Sequence, residues 1–217
     1  MIVTQLCLAM ADLILLMPEW TNALSELMAK LSGSPTSVPA LLEVLLLLPE
    51  EVDSRHLRLG SNRRSQIKQM LSLSAPHIAQ FLQSVLLEEA STVARQVSVV
   101  KCYSSWITLG CIQLSSVQAC RLMLPKNQKK TKILFTFFLQ ASPVMGLAVS
   151  ALSSPRSAPP LHEASADCMI ALLTRIEREE CSELEVRWSE IFFNSLVAGE
   201  HSGHGVHDGG ELPACSD

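Results

Sequence analysis

Apolar residues recur at helical spacing along most of the chain. Within residues 2–17, Leu6, Ala9, Met10, Leu13, Leu16 and Met17 follow steps of three and four, the signature of one apolar helix face. Pro18 ends this segment, since proline has no N–H to give and its ring crowds the preceding turn. Thr21 suits an N-cap, so a second helix is predicted over residues 21–31. Trp20, just before it, is placed to fold back on the turn holding Leu24 and Ser25. Beyond the Gly33-Ser34-Pro35 loop, Ser37 is expected to cap a helix over residues 38–48, with Pro39 in its first turn. Leu45, Leu46, Leu47 and Leu48 make it apolar all round, which marks a buried helix. Pro49 is expected to stop it.

An acidic turn of Glu50, Glu51 and Asp53 comes next, then a basic stretch over residues 55–64. Residues 67–73 and 78–88 read as two helices separated near Ala75 and Pro76. Further helices are predicted over residues 92–109, 161–176 and 183–197. The Gly- and His-rich tail after Gly199 is expected to be disordered. Sustained period-two alternation is absent, which argues against a sheet. Comparable helix pairs recur about every 35–40 residues, with Trp20 and Trp106 near helix ends. That period suggests an all-α solenoid of HEAT or armadillo type; a globular helix bundle is the alternative.

Composition narrows the function classes. The 217 residues are 48% hydrophobic and 18% charged, which excludes disorder throughout. A net charge of −4 lacks the basic excess of a typical nucleic-acid binder. The seven cysteines are dispersed, with no C-x-x-C pair. This argues against a disulfide framework or a zinc site and fits reduced core thiols of an intracellular protein. The apolar N-terminus lacks a basic flank and is interrupted by Asp12, unlike a secretory signal. Residues 133–149 follow Lys126, Lys129, Lys130 and Lys132 and resemble a membrane span. The run is short and broken by Gln140, Ser142, Pro143 and Gly146, so no membrane span is expected; a membrane-anchored helical protein is the alternative.

Enzyme signatures are missing. The nucleophile elbow, the H-E-x-x-H zinc motif and the phosphate-binding loop are all absent, and no catalytic residue, metal or cofactor is expected. His201, His204 and His207 have metal-binding spacing, but a Gly-rich tail offers nothing to orient them. His162 and Cys168 are six apart and fall on different helix faces, which argues against a nucleophilic pair.

Five ordered stretches are more specific. They are LAMADLILLMPEW over residues 8–20, LLEVL followed by LPEEV over residues 41–52, SRHLRLGSNRR over residues 54–64, KCYSSW over residues 101–106, and LHEASADC over residues 161–168. Together they resemble the importin-β (karyopherin) family of nuclear transport receptors, in particular its branch for SR-rich splicing factors. The resemblance covers residues 5–116 and 144–180 and implies a fragment of a larger HEAT-repeat superhelix. It implies cargo binding under Ran–GTP control, contact with nuclear pore proteins, no direct nucleic-acid contact, and shuttling between cytoplasm and nucleus. A truncated, non-transporting isoform or scaffold is the alternative.

The resemblance divides the chain into HEAT-like repeats over residues 1–116, an unmatched insert over 117–143, further HEAT-like helices over 144–198, and a tail over 199–217. The chain is expected to begin about two helical repeats into the family pattern, without the first Ran-contacting repeats. Residues 134–140, LFTFFLQ, are what a pyrimidine-rich tract ending in CAG would encode. The insert is therefore expected to be a retained intron or mis-assigned exon, which a cDNA read across the junction would test. Arg55, Arg58, Arg63 and Arg64 are the candidate partner-binding residues. Asn62 or Ser61 is expected to cap the following helix, leaving Arg63 and Arg64 in its first turn, where cations oppose the helix dipole. Contact with acidic groups on Ran or with a phosphorylated cargo, or ion pairs with Glu50, Glu51 and Asp53, would compensate.

Overall fold

The computed structural model describes residues 2–54, 56–88, 91–112 and 142–178. They form seven helices: α1 (Ile2–Leu16), α2 (Ala23–Leu31), α3 (Val38–Val52), α4 (Ser61–Leu87), α5 (Val93–Leu109), α6 (Pro143–Ser153) and α7 (Pro159–Arg178). No strand occurs among the described residues.

The odd-numbered helices make one layer, α1 against α3, α3 against α5 and α5 against α7. The even-numbered helices back it, with α2 on α3, α4 on α5 and α6, and α6 on α7. Each helix thus meets its neighbours in series, as in a HEAT-type solenoid. One continuous apolar core runs between the layers, with Leu41, Leu45, Leu48, Leu71, Leu82, Val99, Val100 and Trp106 wholly buried. In α4 the buried positions Ile67, Leu71, Ala75, Ile78, Leu82 and Val85 advance by three or four. That row is the core stripe of an amphipathic helix. By length and composition α4 alone among the described helices is long and apolar enough to cross a membrane; here its apolar row faces the core.

The prolines depart from expectation. Pro49 does not stop α3, which continues to Val52, and Pro76 lies inside an unbroken 27-residue α4. Pro76 is exposed, so solvent can reach the carbonyl it leaves without a helical donor. The hydroxyls of Ser72 and Ser74 donate back to the carbonyls of Lys68 and Met70, a bonding pattern that lets a helix bend rather than break. Pro49 is buried, and its solution is described below.

Other local expectations also shift. α2 starts at Ala23, with Asn22 rather than Thr21 before it. Trp20 packs against the core and donates its indole N–H to Glu26 at 3.1 Å. Ser37 is the N-cap residue of α3, but its hydroxyl makes no capping bond and instead donates to the carbonyls of Leu31 and Ser34, tying α3 to the end of α2. Gly60, not Ser61 or Asn62, precedes α4. α6 occupies part of the stretch compared above to a membrane span. Its 11 residues bury Val144, Met145, Gly146, Ala148, Val149 and Ala151 in the core. The predicted helix over residues 183–197, the residues 134–140 and the terminal tail lie outside the described residues.

Candidate functional site

The junction of α3 and α5 begins with a backbone problem. A helix carbonyl at Leu45 would ordinarily accept from the N–H of residue 49, but residue 49 is proline. Burial leaves no water to substitute, and an unpaired buried carbonyl is costly. The indole of Trp106 on α5 fills the vacancy, donating from Nε1 to the Leu45 carbonyl at 2.8 Å. Beside it, the Ser105 hydroxyl donates to the Leu46 carbonyl at 3.0 Å. The LPEEV and SSW stretches are therefore two halves of one joint.

Above this joint, α3, α5 and α7 enclose a groove of about 590 Å³ whose floor is α5. α3 contributes Leu46, Pro49 and Glu50, with Asp53 just past its end, α5 contributes Lys101, Ser104, Ser105 and Thr108, and α7 contributes Ala164 and Asp167. A second hollow of about 300 Å³ shares Ser104, Thr108 and Asp167 and runs on to Thr174, Arg175 and Arg178. The two hollows share residues and together line a cleft along three successive helices of one layer. Its first part is acidic and its far end basic.

Asp53 is held by Lys68, with Nζ 3.1 Å from Oδ1. Glu50 is exposed, and partial desolvation, then Glu51 and Glu43, hold its carboxyl above its ordinary value, while Lys101 pulls it down. Asp12, on α1, is likewise raised by burial and then by Glu51. The α5 end is built by a glycine. Gly110 sits at φ 90°, its N–H reaching Ile107 and that of Cys111 reaching Trp106, the double bond pattern of a left-handed helix stop. Arg175 lies against this turn and approaches the Ile107 carbonyl at 3.5 Å.

The sequence-predicted basic group is elsewhere. Arg63 donates from Nε and Nη2 to the Leu15 carbonyl at 3.2 and 3.1 Å. It thereby serves the last turn of α1, where orphan carbonyls and the negative dipole end favour a cation. The guanidinium bonds this carbonyl rather than Glu50, Glu51 or Asp53. Arg64 is half-buried with its Nε lacking a protein partner. Arg58 is exposed on the α3–α4 connection, and Arg55 lies outside the described residues.

Sequence reasoning missed the groove, yet its signal was present. Glu50 belongs to LPEEV, Lys101 and Ser104 to KCYSSW, and Asp167 to LHEASADC. The pairing of His162 with Cys168 does not form, since His162 is exposed and Cys168 is wholly buried. Burial pushes the Cys168 thiol up to about 12, with Asp167 adding to the rise. Cys102 is raised by burial in the same way. The described residues hold no cluster of ligands suited to a metal; His201, His204 and His207 lie outside them.

A family model described as "Exportin 1-like protein" matches residues 1–169, well over half of the chain. The chain belongs to this exportin 1-like, importin-β family. Importin-13 of Gallus gallus is 32% identical over 116 residues, covering 50% of this chain and 12% of that protein. Importin-13 of Bos taurus and of Homo sapiens match at 31% and 30% over the same length. The chain thus spans about an eighth of these importin-β relatives, at 12% of their length. The family is one of transport receptors rather than enzymes.

Proposed function

We propose that this chain is a partner-binding stretch of a nuclear transport receptor similar to transportin-3. In this reading the groove above α5 helps to hold SR-rich splicing-factor cargo, and Ran–GTP controls its release. The observation that carries it is convergence. Three motifs from separate helices of a karyopherin-like chain meet at one largely apolar cleft that carries both acidic and basic side chains. Glu50 and Asp167 suit arginine, whereas Lys101 and Arg178 suit phosphate. A phosphorylated Arg-Ser segment alternates these two chemistries.

Function of this kind is binding and release without bond making. A solenoid bends where its helices slide, so partners that favour different curvatures oppose one another. Arg58 is proposed as an accessory contact for Ran or cargo, together with Arg55, whereas Arg63 acts chiefly as an architectural tie. The divisions at residues 1–116, 117–143, 144–198 and 199–217, contact with nuclear pore proteins, and shuttling between cytoplasm and nucleus belong to the same proposal.

The test is a pull-down of the purified, monodisperse chain with Ran–GTP and with phosphorylated and unphosphorylated Arg-Ser peptides. Binding to the phosphopeptide that Glu50→Lys with Asp167→Lys weakens about tenfold or more would support the groove as its site. A folded chain that binds neither Ran nor peptide refutes the reading and leaves a scaffold or non-transporting product.

A further inference from the structure

The second hollow, on the seam of α5 and α7, has an order of charge set by one helix face. Asp167, Ala171, Thr174 and Arg178 step by three and four along α7 and line the hollow together with Ile170, so they share one side of the helix. Asp167 stands at one end of this row and Arg178 at the other, both exposed. Ile170 lies between them and is 60% exposed, the large apolar side chain that α7 leaves open among the described residues. Arg175, also on the hollow, is engaged at the Ile107 carbonyl. From α5 the hollow receives Ser104 and Thr108, and the Thr108 hydroxyl donates to the Ser104 carbonyl within that helix. Acid, aliphatic side chain and guanidinium thus follow one another along α7, within one cavity of about 300 Å³.

The spacing of the charges selects a conformation for what binds. Asp167 and Arg178 are 11 residues apart, about 16 Å along the axis at 1.5 Å per residue. Residues i and i+4 of an extended segment lie about 13 Å apart at ~3.3 Å per residue, and i, i+2 and i+4 point to one side. The lengths of two charged side chains supply the remainder. The same positions of a helix lie only about 6 Å apart, too close to reach both ends of the row. A strict Arg-Ser repeat, extended, turns its arginines to one side and its serines to the other. It therefore cannot set both charges on α7, and it has no side chain to cover Ile170.

We propose that this hollow holds an extended segment carrying arginine, an aliphatic residue and phosphoserine at alternate positions. Arginine meets Asp167, the aliphatic side chain lies on Ile170 and Ala171, and the phosphate meets Arg178 through charge-assisted bonds. Such recognition rests on the groove being a cargo site, and it adds a condition to that reading. Charge alone is not enough; the two charges must stand at even spacing about an aliphatic anchor.

Fluorescence anisotropy of the full chain with short labelled peptides tests it. The probe GRSLSSG is phosphorylated on its last serine, which places arginine, leucine and phosphoserine at alternate positions. Three controls replace the leucine by serine, omit the phosphate, or delete one serine so that the charges fall at odd spacing. The probe should bind saturably and about fivefold or more tightly than each control. Ile170→Ser should abolish the preference for leucine, and Arg178→Ala the preference for phosphate. Both side chains are exposed, so far-UV circular dichroism should not change. Equal binding of probe and controls, or preferences that survive both substitutions, overturns the proposal. A strict phosphorylated Arg-Ser peptide that binds as tightly as the probe also overturns it, while leaving the cargo reading in place. A folded chain that binds none of the peptides overturns both, and a hollow filled by the chain itself or by a second copy gives that result.

Discussion

Replacing Trp106 by phenylalanine isolates the joint between α3 and α5. The ring remains aromatic and apolar, but the indole N–H that serves the Leu45 carbonyl at 2.8 Å is gone. Trp106 is 0% exposed, so water does not replace it. Leaving a buried acceptor unpaired costs about 1–3 kcal/mol, and the lost ring volume adds roughly 1 kcal/mol. The expected loss is about 3 kcal/mol, a fall in Tm of roughly 6–12 °C for a chain of this size. Pro49→Ala supplies the missing donor from the backbone and alone should stay within about 1 kcal/mol of the parent. In the Trp106→Phe background it should recover about 1–2 kcal/mol. Urea unfolding followed by far-UV circular dichroism measures all four corners of this cycle. Additivity to within ~0.5 kcal/mol would refute the assignment of Trp106 as the donor that makes Pro49 tolerable.

Other outcomes follow from the same structure. Arg63→Ala removes two bonds to the Leu15 carbonyl and should lower stability by about 1–2 kcal/mol; if Tm is unchanged while Ran or cargo binding is lost, Arg63 is a contact residue instead. Gly110→Ala must place a side chain at φ 90° and onto the Arg175 guanidinium, so a loss of about 1–3 kcal/mol in the same unfolding assay is expected. Cys168 has a folded-state value near 12 against an ordinary 9.0. The unfolded chain therefore releases this proton first, and the thiol's contribution to stability, complete below pH 9, is lost progressively as pH rises towards 12. Denaturant midpoints across that range should fall more steeply for the parent than for Cys168→Ala. The folded chain should also leave Cys102 and Cys168 unmodified by a thiol reagent that labels them once unfolded.

Periodicity disclosed the helices because each has one buried row, and the row in α4 is regular from Ile67 to Val85. It failed at proline for a physical reason. Whether Pro49 ends a helix depends on a donor 57 positions later in the chain, and no local window contains that partner. Pro76 misled for the opposite reason, since exposure lets solvent serve its turn. The basic stretch was visible as charge, but the destination of Arg63, a carbonyl on α1, was not, because backbone acceptors leave no mark in composition. Glu50, Lys101 and Asp167 could be quoted as members of three motifs. Only the layering of α3, α5 and α7 brings them together.

The joint at Pro49 also bears on how the chain is made. Leu45 and Trp106 are 61 residues apart. At about 5–20 residues per second of synthesis, the indole is made roughly 3–12 s after the carbonyl it will serve. Throughout that interval α3 has no lasting donor at Leu45, and the turn around Pro49 stays hydrated. The nascent helix therefore cannot dock in its final form until α5 arrives. A ribosome that stalls between α3 and α5 therefore holds a half-finished helix with its leucines open to chaperones.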